Sequence, residues 1–344
     1  MSEDVTQLEA RGLTRHFVVR TGHGVFRPKR TVRAVDDVSL RLDAGRVTAV
    51  VGESGSGKTV LARMLARIVS PTSGELLLEG TSIRARSRRT LAYASDVQMV
   101  LQDPFGSINP VHRIRHSLER PLLIHHTPKN EVDDRAHAVL ARVSLEPPER
   151  YLDRYPHELS GGQLQRVSIA RALCVNPKVL LADEPISMLD VSVRLGVLNL
   201  LRGLCDNEHM AILYITHDIA SARYIADETI VMYAGQVVER SNGTRLIDEP
   251  QHPYTQLLIA SVPDPNNPLR RAPEVEDRNS QGLFPDVGCR FAPRCPHAMD
   301  KCRQVAPPIF TLSDDHSSRC WLHDGHAVEV SLAERAQGGS ISTT

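Results

Sequence analysis

The chain has 344 residues, and its 41 Lys and Arg balance its 41 Asp and Glu, so the formal net charge is zero. This length allows a large hydrophobic core and two domains, while a neutral balance gives no general attraction to nucleic acid or acidic lipid. No apolar run approaches the roughly 20 residues that span a bilayer, and the polar segment MSEDVTQLEARG is atypical of a secretory signal. We therefore expect a cytoplasmic protein whose thiols stay reduced, without structural disulfides.

The first part of the chain, up to about residue 90, predicts an antiparallel β portion and the beginning of a phosphate-binding core. An early strand pattern, LTRHFVV, contains the aromatic Phe17. The basic segment VRTGHGVFRPKRTVR, residues 19–33, contains glycine and proline and lies between two strand patterns. We interpret this segment as a solvated hairpin loop rather than as a lipid or partner contact, because a run of charges is usually a solvated surface.

The segment VTAVVGESGSGKTVLARMLARIV, residues 47–69, predicts a strand, a glycine-rich loop and a helix in succession. The β-branched run Val47–Val51 is typical of a buried parallel strand. The predicted helix has apolar residues at helical spacing: Leu61, Met64, Leu65 and Ile68. Between them, GESGSGKT fits the phosphate-binding pattern G-x-x-x-x-G-K-[ST], in the strand–loop–helix context that the pattern requires.

The residue types of this loop suit a nucleotide phosphate. Glycines allow a tight turn in which successive backbone N–H groups face one anion, and the helix N-terminus adds its positive end. Lys58 brings a charge to the β- and γ-phosphates, and Thr59 offers a hydroxyl to Mg²⁺. The predicted nucleotide-binding residues of the loop are Gly52, Glu53, Ser54, Gly55, Ser56, Gly57, Lys58 and Thr59.

A later segment, LSGGQLQRVSIARAL, predicts a capped amphipathic helix. Ser160 is a favourable N-cap, and Gly161 and Gly162 permit close approach of a ligand to the backbone. Taken alone, the segment indicates no more than a helix with a good cap. Its meaning depends on the motifs around it.

The segment VLLADEP predicts a buried strand with Asp183 and Glu184 at its C-terminal end. Ligands bind at this edge of a parallel sheet. Asp183 suits a position beside Mg²⁺, and Glu184 suits a base that orients water. Two acids that merely cap the next helix are the alternative, and the phosphate-binding loop weakens it.

The order of these motifs resembles that of ATP-binding cassette (ABC) ATPases, and LSGGQ is similar to their signature sequence. The resemblance covers most of the chain. It implies an α/β fold, a P-loop nucleotide-binding domain over residues 1–240 with a mixed β core, an antiparallel β portion and a helical subdomain at about 95–175. Residues 241–344 would then form a small C-terminal extension that contains a cysteine module at 289–320.

The resemblance also implies roles for individual residues. Gln102 in VLQDP corresponds to the glutamine that contacts Mg²⁺ and the attacking water, and His217 in AILYITHD corresponds to the histidine that contacts the γ-phosphate. The implied catalytic residues are Glu184, His217, Gln102 and Lys58, and the implied Mg²⁺ ligands are Thr59, Gln102 and Asp183. Phe17 would stack on adenine, although an aromatic residue in an early strand is more often part of the core.

Two cassettes of this family face head to tail and trap two ATP molecules between them. The signature residues of this chain would therefore act on ATP held by a second ATPase; they are Ser160, Gly161, Gly162 and Gln163. SMLD resembles the D-loop, which ends at Asp190, with Met188 where relatives have a small residue.

The segment DEPQHPYTQLLIASVPDP predicts a short helix that begins at its His-Pro-Tyr and is closed by Pro263 and Pro265. HPYT resembles the C-terminal extension of oligopeptide/dipeptide importer ATPases, and VQMVLQDPFGSINP is more similar to the second, F-type subunit of that family. In such importers the DPFGSINP region receives a coupling helix from the membrane subunit. Residues 264–282 are typical of a polar linker, and residues 334–344 of a disordered tail.

This resemblance implies an ATPase that powers import across the cytoplasmic membrane and lies peripherally on its cytoplasmic face. The implied partners are a second ABC ATPase in a heterodimer, two integral permease subunits and an extracytoplasmic substrate-binding protein, with no nucleic acid. Peptide is the favoured cargo, and oligosaccharides or nickel complexes are alternatives. A non-transport ABC ATPase is less favoured because the chain has a single LSGGQ and no sustained heptads. A module that has lost catalysis is also disfavoured, since the predicted catalytic residues are all present.

Four of the six cysteines follow the predicted linker: Cys289, Cys295, Cys302 and Cys320. Their spacing, C-x5-C-x6-C-x17-C, lacks the close pair typical of structural zinc sites and resembles the motif of importer ATPases that hold a [4Fe–4S] cluster. Zinc and unoccupied thiols are the alternatives. Basic residues are predicted to offset the charge of a cluster: Arg290, Arg294, Lys301 and Arg303. The other two cysteines, Cys174 and Cys205, lie in apolar helical patterns and are predicted to belong to the core.

Overall fold

The computed structural model describes residues 5–20, 29–83, 90–261, 284–325 and 328–329. The strands are β1 (Thr6–Arg20), β2 (Lys29–Asp43), β3 (Val47–Val51), β4 (Ser73–Leu78), β5 (Thr81–Ile83), β6 (Val97–Val100), β7 (Val179–Asp183), β8 (Ala211–Thr216), β9 (Glu228–Tyr233), β10 (Gln236–Asn242), β11 (Phe310–Ser313), β12 (His316–Ser318) and β13 (Val328–Glu329). The helices are α1 (Lys58–Leu65), α2 (Leu91–Asp96), α3 (Pro104–Ser107), α4 (Ile114–Ile124), α5 (Val132–Arg142), α6 (Glu149–Leu152), α7 (Gly161–Leu173), α8 (Val191–Glu208), α9 (Ile219–Ile225), α10 (Arg245–Asp248), α11 (Pro253–Ala260) and α12 (Asp300–Gln304).

In the larger sheet, the C-terminal ends of the buried parallel strands lie along one edge. Its strand order is β13-β11-β12-β10-β9-β3-β8-β7-β6, and β9, β3, β8, β7 and β6 run parallel to one another. Every residue of β3, β7 and β8 is buried, which is expected for central strands covered on both faces. The predicted buried parallel strands are therefore confirmed.

The smaller sheet, in the order β2-β1-β4-β5, is antiparallel throughout. Its first hairpin corrects the interpretation of residues 19–33 as a loop, because Val19 pairs with Arg30 and Arg20 pairs with Lys29. The strands continue into this segment because residues 17–19 and 31–32 are aromatic or β-branched, types that favour extended pairing. Only residues 21–28 of the predicted loop remain, and they lie outside the described residues.

Five helices, α3 to α7, form the helical region between β6 and β7. The region was predicted to begin at about residue 95, and residues 97–100 form β6, which pairs in parallel with β7. Strand β6 has only four residues. Val97 and Val100 are buried against the core, and the two residues between them are half-buried, so the segment shows no clear alternation of apolar and polar residues.

The helix after the phosphate-binding loop is shorter than its apolar pattern predicts. Helix α1 ends at Leu65, and Arg67 has a left-handed φ of 55° that stops the helix from continuing. Ile68 is therefore not part of the buried helical face, and 55% of it is exposed.

The C-terminal extension is joined to the core sheet. The predicted boundary at residue 240 falls inside β10, and β12 pairs with β10 through Glu239 and Ser318. Helix α11 begins at Pro253, as predicted, with His252 as its N-cap, and ends at Ala260. Pro263 and Pro265, the predicted linker and the predicted tail all lie outside the described residues. None of the described helices is both long and apolar enough to cross a membrane.

Candidate active site

The phosphate-binding loop lies between β3 and α1, and glycine is required at both of its ends. A Cβ atom at Gly52 would lie 2.2 Å from the carbonyl oxygen of Met232, and one at Gly57 would lie 2.2 Å from that of Ala34. Gly57 also has a left-handed φ of 105°, where it serves as the N-cap of α1. Backbone therefore surrounds the loop closely at Gly52 and at Gly57 and leaves no space for a side chain there.

Lys58 points into the loop. Its Nζ donates to the carbonyl oxygens of Gly52 (2.7 Å) and Glu53 (2.9 Å), and only 5% of the residue is exposed. Burial lowers the pKa of Lys58, and the nearby carboxylates of Glu184 and Asp183 oppose that shift. The ammonium is thus fixed at the centre of the loop, at the point where a bound phosphate would meet it.

Asp183 and Thr59 form the predicted magnesium position. Asp183 is the last residue of β7, is 2% exposed, and accepts a hydrogen bond of 3.1 Å from the Thr59 hydroxyl. Burial raises the pKa of Asp183, because its carboxylate has left water. A buried carboxylate beside a hydroxyl is a donor set that suits a divalent cation with oxygen ligands, so these residues fit Mg²⁺.

Glu184 lies at the centre of the remaining predicted catalytic residues. Its carboxylate accepts a hydrogen bond of 2.9 Å from Gln102 Nε2, and His217 Nδ1 lies 3.2 Å from its other oxygen. These three side chains come from the ends of three parallel strands, β7, β6 and β8. The strand topology therefore brings together residues that are 82 and 33 positions apart in the sequence.

An open cleft of about 1070 Å³ is lined by part of this set, whereas Asp183 and His217 are not among its lining residues. Its walls include predicted residues of the loop and of the catalytic set: Ser54, Gly55, Gly57, Lys58, Thr59, Gln102 and Glu184. Phe17 does not line the cleft, although its neighbour His16 does. The ring of Phe17 packs 4.6 Å from the guanidinium of Arg15, and Val32, which pairs with Phe17 across the hairpin, lines the cleft. The adenine contact of Phe17 therefore stays a prediction.

The C-terminal extension supplies residues of this cleft that the sequence did not reveal. Phe284, Asp286 and Arg290 line it, and Arg294 contacts the phosphate-binding loop through Glu53. Arg290 and Arg294 were predicted to offset the charge of a cluster, but their guanidinium groups bond to Asp36 and Glu53 instead. The sequence shows only that several arginines lie near the cysteines, and this pattern does not indicate which carboxylates they contact.

The signature residues lie outside the cleft. The Ser160 hydroxyl accepts a hydrogen bond from Gln163 N–H, and Gln163 Oε1 accepts one from Ser160 N–H, which confirms the predicted N-cap of α7. Gly162 packs against Val193, on the first turn of α8. Asp190 is the N-cap of that helix, and Met188 beside it is 56% exposed. This end of the molecule presents its polar groups outward.

Four of the cysteines line one small cavity, together with His252, Phe291 and Trp321; they are Cys289, Cys295, Cys302 and Cys320. Burial raises the pKa of Cys320 to about 11, and the three other thiols add to that shift. In the described part of the chain, however, no group of three His, Cys, Asp or Glu side chains is placed to hold a metal ion. Cys174 and Cys205 are buried elsewhere in the core, as predicted.

Comparisons with known proteins identify the family of this chain. A family described as ABC transporter matches residues 35–187, and one described as oligopeptide/dipeptide transporter, C-terminal region, matches residues 238–302. The chain is 42% identical over 323 residues to the di/tripeptide transport ATP-binding protein DppF of Pseudomonas aeruginosa, which covers 92% of this chain and 97% of that protein. It is 38% identical over 325 residues to the oligopeptide transport ATP-binding protein AppF of Bacillus subtilis, which covers 92% and 98%.

Solved structures agree as well. The ATP-binding cassette MJ0796, a dimer in a post-hydrolysis state bound to ADP and phosphate, matches with a TM-score of 0.59 and 27% identity, covering 68% of this chain and 98% of that one. The structure of cbiO1 from Clostridium perfringens matches with a TM-score of 0.61 and 26% identity, covering 72% and 92%. The chain therefore belongs to the ABC ATPases, in the branch of the oligopeptide/dipeptide transporters.

Proposed function

We propose that this protein hydrolyses ATP to power the import of peptides, and that it acts on the cytoplasmic face of the membrane through permease subunits. The observation that carries the proposal is the junction of Gln102, Glu184 and His217 beside the phosphate-binding loop. Peptide is the favoured cargo because the relatives are named for di-, tri- and oligopeptide transport. Oligosaccharides and nickel complexes remain the alternatives, since no residue of an ATPase subunit needs to touch the cargo.

The proposed mechanism assigns one task to each side chain. Lys58 and the loop N–H groups hold the β- and γ-phosphates, and Thr59, Gln102 and Asp183 would hold Mg²⁺, which neutralises developing charge. Glu184 orients a water molecule and receives its proton as the water oxygen attacks the γ-phosphorus. The bond to the β–γ bridging oxygen breaks, and ADP keeps the electron pair. His217 and Gln102 fix the Glu184 carboxylate and so aim the water.

A second ATPase subunit would complete the site. Ser160, Gly161 and Gly162 lie outside this chain's own cleft, and the similar cassette MJ0796 is a dimer. We propose that they close over the γ-phosphate held by the second chain, and that Gln163 and Asp190 support that interface. The names of the relatives favour the F-type member of a heterodimer.

A permease contact is proposed at α3, directly after Gln102. Asp103 caps this short helix by accepting from Phe105 N–H at 2.9 Å, and Phe105 is 52% exposed. Val111, a few residues later, is 73% exposed. Exposed apolar side chains are typical of a surface that a partner protein covers. Because these lie next to Gln102, a permease bound here would be close to the nucleotide site.

We propose further that the cysteine-lined cavity holds a [4Fe–4S] cluster. The donor set fits, because four thiols face one cavity and burial raises the pKa of Cys289, Cys295 and Cys320, so thiolates there need a compensating cation. The spacing C-x5-C-x6-C-x17-C lacks the close cysteine pair typical of structural zinc sites, which favours a cluster over zinc. Iron and acid-labile sulfide in anaerobically purified protein are the expected result. Colourless protein with one zinc per chain would overturn this part.

The test of the import function uses the assembled transporter. The full-length protein, expressed with the permease and ATPase subunits of the proposed transporter, should co-purify with them in detergent. After reconstitution in vesicles with the substrate-binding protein, ATP turnover should rise when peptides of two to five residues are added. If oligosaccharides or nickel complexes stimulate turnover and peptides do not, the proposed cargo is wrong and the stimulating compound is the cargo. Failure to associate with any membrane subunit would refute the import function itself.

A further inference from the structure

Glu53, the second residue of the phosphate-binding loop, is held by the C-terminal extension. The Arg294 guanidinium forms two parallel hydrogen bonds to the Glu53 carboxylate, of 2.8 and 2.9 Å. The hydroxyl of Tyr254 accepts a hydrogen bond of 2.8 Å from the Glu53 backbone N–H. One loop residue is thus fixed through both its side chain and its backbone, by residues that lie 241 and 201 positions later in the chain.

Arg294 is itself fixed by its surroundings. Its guanidinium lies 5.7 Å from the ring centre of Tyr233 and 5.8 Å from that of Phe291, and 14% of its side chain is exposed. The hydrogen bonds to Glu53 raise the pKa of Arg294. A bidentate arginine–carboxylate pair between aromatic rings is geometrically demanding, so it fixes the direction of Glu53 as well as its distance.

Tyr254 belongs to the same buried aromatic group. It is fully buried, and its ring lies 4.5 Å from that of Tyr233 and 5.5 Å from that of Phe291. Its hydroxyl accepts a hydrogen bond from the Glu53 N–H. The HPYT segment therefore delivers a hydrogen-bond acceptor to the loop.

A second arginine from the same segment reaches the wall of the cleft. Arg290 is buried, donates to the Ala234 carbonyl and the Asp36 carboxylate, and lines the cleft itself. Asp36 also lies 3.2 Å from His16, another residue of the wall. Residues 289–295 therefore contact the nucleotide cleft at two places.

The position of Glu53 matters because it sets the position of Lys58. The Glu53 carbonyl accepts a hydrogen bond of 2.9 Å from Lys58 Nζ, the group predicted to meet the β- and γ-phosphates. A shift of Glu53 would move one of the ammonium's acceptors. The extension is connected to Lys58 by only two contacts in succession, from Arg294 or Tyr254 to Glu53 and from Glu53 to Lys58.

We propose that Arg294 and Tyr254 are positioning residues of the nucleotide site. They hold Glu53 in the arrangement that aims Lys58 at the phosphates, so the C-terminal extension is a built part of the ATP site. This inference goes beyond the import role and holds whichever cargo is carried and whichever metal the cysteines bind. It needs only nucleotide binding, which the ABC family shares.

The test compares three single variants of the full-length protein: Arg294→Gln, Tyr254→Phe and, as control, Arg303→Gln, which alters an exposed arginine of the same extension. Titration with a fluorescent ATP analogue should show that Arg294→Gln raises the Kd about tenfold. The loss of a hydrogen bond to a charged group typically changes an equilibrium constant by about this factor. Tyr254→Phe should raise Kd about fivefold. Arg303→Gln should leave Kd within twofold of the parent.

Kinetics of the assembled transporter separate positioning from general structural damage. KM for ATP should rise with Kd while kcat stays within about twofold, because ground-state binding of the phosphates is lost and the water-activating residues are untouched. Arg294→Lys keeps the charge and should give an intermediate Kd. The double variant Arg294→Gln/Glu53→Gln should bind no more weakly than Arg294→Gln, because the pair acts as one unit. A Kd within twofold of the parent for both Arg294→Gln and Tyr254→Phe, whatever their melting temperatures, would overturn the proposal.

Discussion

The phosphate-binding loop and the signature loop each place glycine at the start of a helix, yet they are built in opposite ways. Gly57 begins α1 with a left-handed φ and without a side-chain cap, and the loop before it is enclosed by the chain. Ser160 begins α7 with a reciprocal side-chain cap, and Gly161 beside it has ordinary room, since a Cβ there would lie 3.7 Å from its nearest neighbour.

The difference separates a site that one chain completes from a surface that awaits another chain. The donors of the phosphate-binding loop face a cleft made by Lys58, Gln102 and Glu184 of the same molecule. The signature loop satisfies its own cap and presents its remaining groups outward. We therefore expect nucleotide binding to be a property of the single chain, and turnover to be a property of the assembled pair.

The largest expected effect separates binding from turnover at the first site. Glu184→Gln removes the proton acceptor but keeps the shape of the side chain, so turnover of the assembled transporter should fall about 10²- to 10⁴-fold. The Kd for ATP should stay within about threefold of the parent, because loop and lysine are intact. Glu149→Gln, at an exposed glutamate of the helical region, is the matched control. Unaltered turnover in Glu184→Gln would show that the catalytic assignment is wrong.

A substitution at Gly57 tests whether the first loop is enclosed. Gly57→Ala places a Cβ 2.2 Å from the Ala34 carbonyl oxygen and forces a left-handed alanine, which alone costs about 1–2 kcal/mol. We expect a lower melting temperature and loss of detectable ATP binding in an equilibrium titration. Gly80→Ala is the control, since Gly80 also has positive φ but no neighbour within 4 Å. Equal effects of the two substitutions would mean that backbone conformation, and not enclosure, limits the loop.

Gly161→Ala makes the corresponding change at the second loop. Its Cβ has space within this chain, so stability and ATP binding of the single chain should match the parent. Turnover of the assembled pair should fall about tenfold, because even a small misplacement of groups at a reacting centre is costly. Weakened ATP binding in the single chain would contradict the assignment of this loop to a second chain's nucleotide.

Most of the catalytic geometry could be predicted because its residues lie at the ends of recognisable strands. The motif order placed Lys58, Asp183 and Glu184 at one sheet edge, and the structure adds only their distances. Ser160 was predictable for a local reason, since a helix cap depends on the four residues that form it. Local chemistry and strand topology together account for these successes.

The misplaced features depend on contacts distant in sequence. The role of Arg294 requires Glu53, more than 200 positions away, and nothing in a cysteine-rich segment indicates that partner. The boundary predicted at about residue 240 falls inside β10, and β12, near the end of the described chain, pairs with β10 across it.

The smallest expected effect separates the structural and the functional roles of Ser160. Ser160→Ala removes the acceptor of the Gln163 N–H and should lower the free energy of unfolding by about 1 kcal/mol, measured by urea denaturation. Ser160→Asp keeps an N-cap acceptor beside the positive helix end, so its stability should equal or exceed that of the parent. If Ser160 meets the γ-phosphate of a second chain, the aspartate must repel that anion, and turnover of the assembled pair should fall further in Ser160→Asp than in Ser160→Ala. If turnover instead follows stability in both variants, Ser160 acts only as a helix cap. The signature loop would then have no demonstrated role at a second chain's nucleotide.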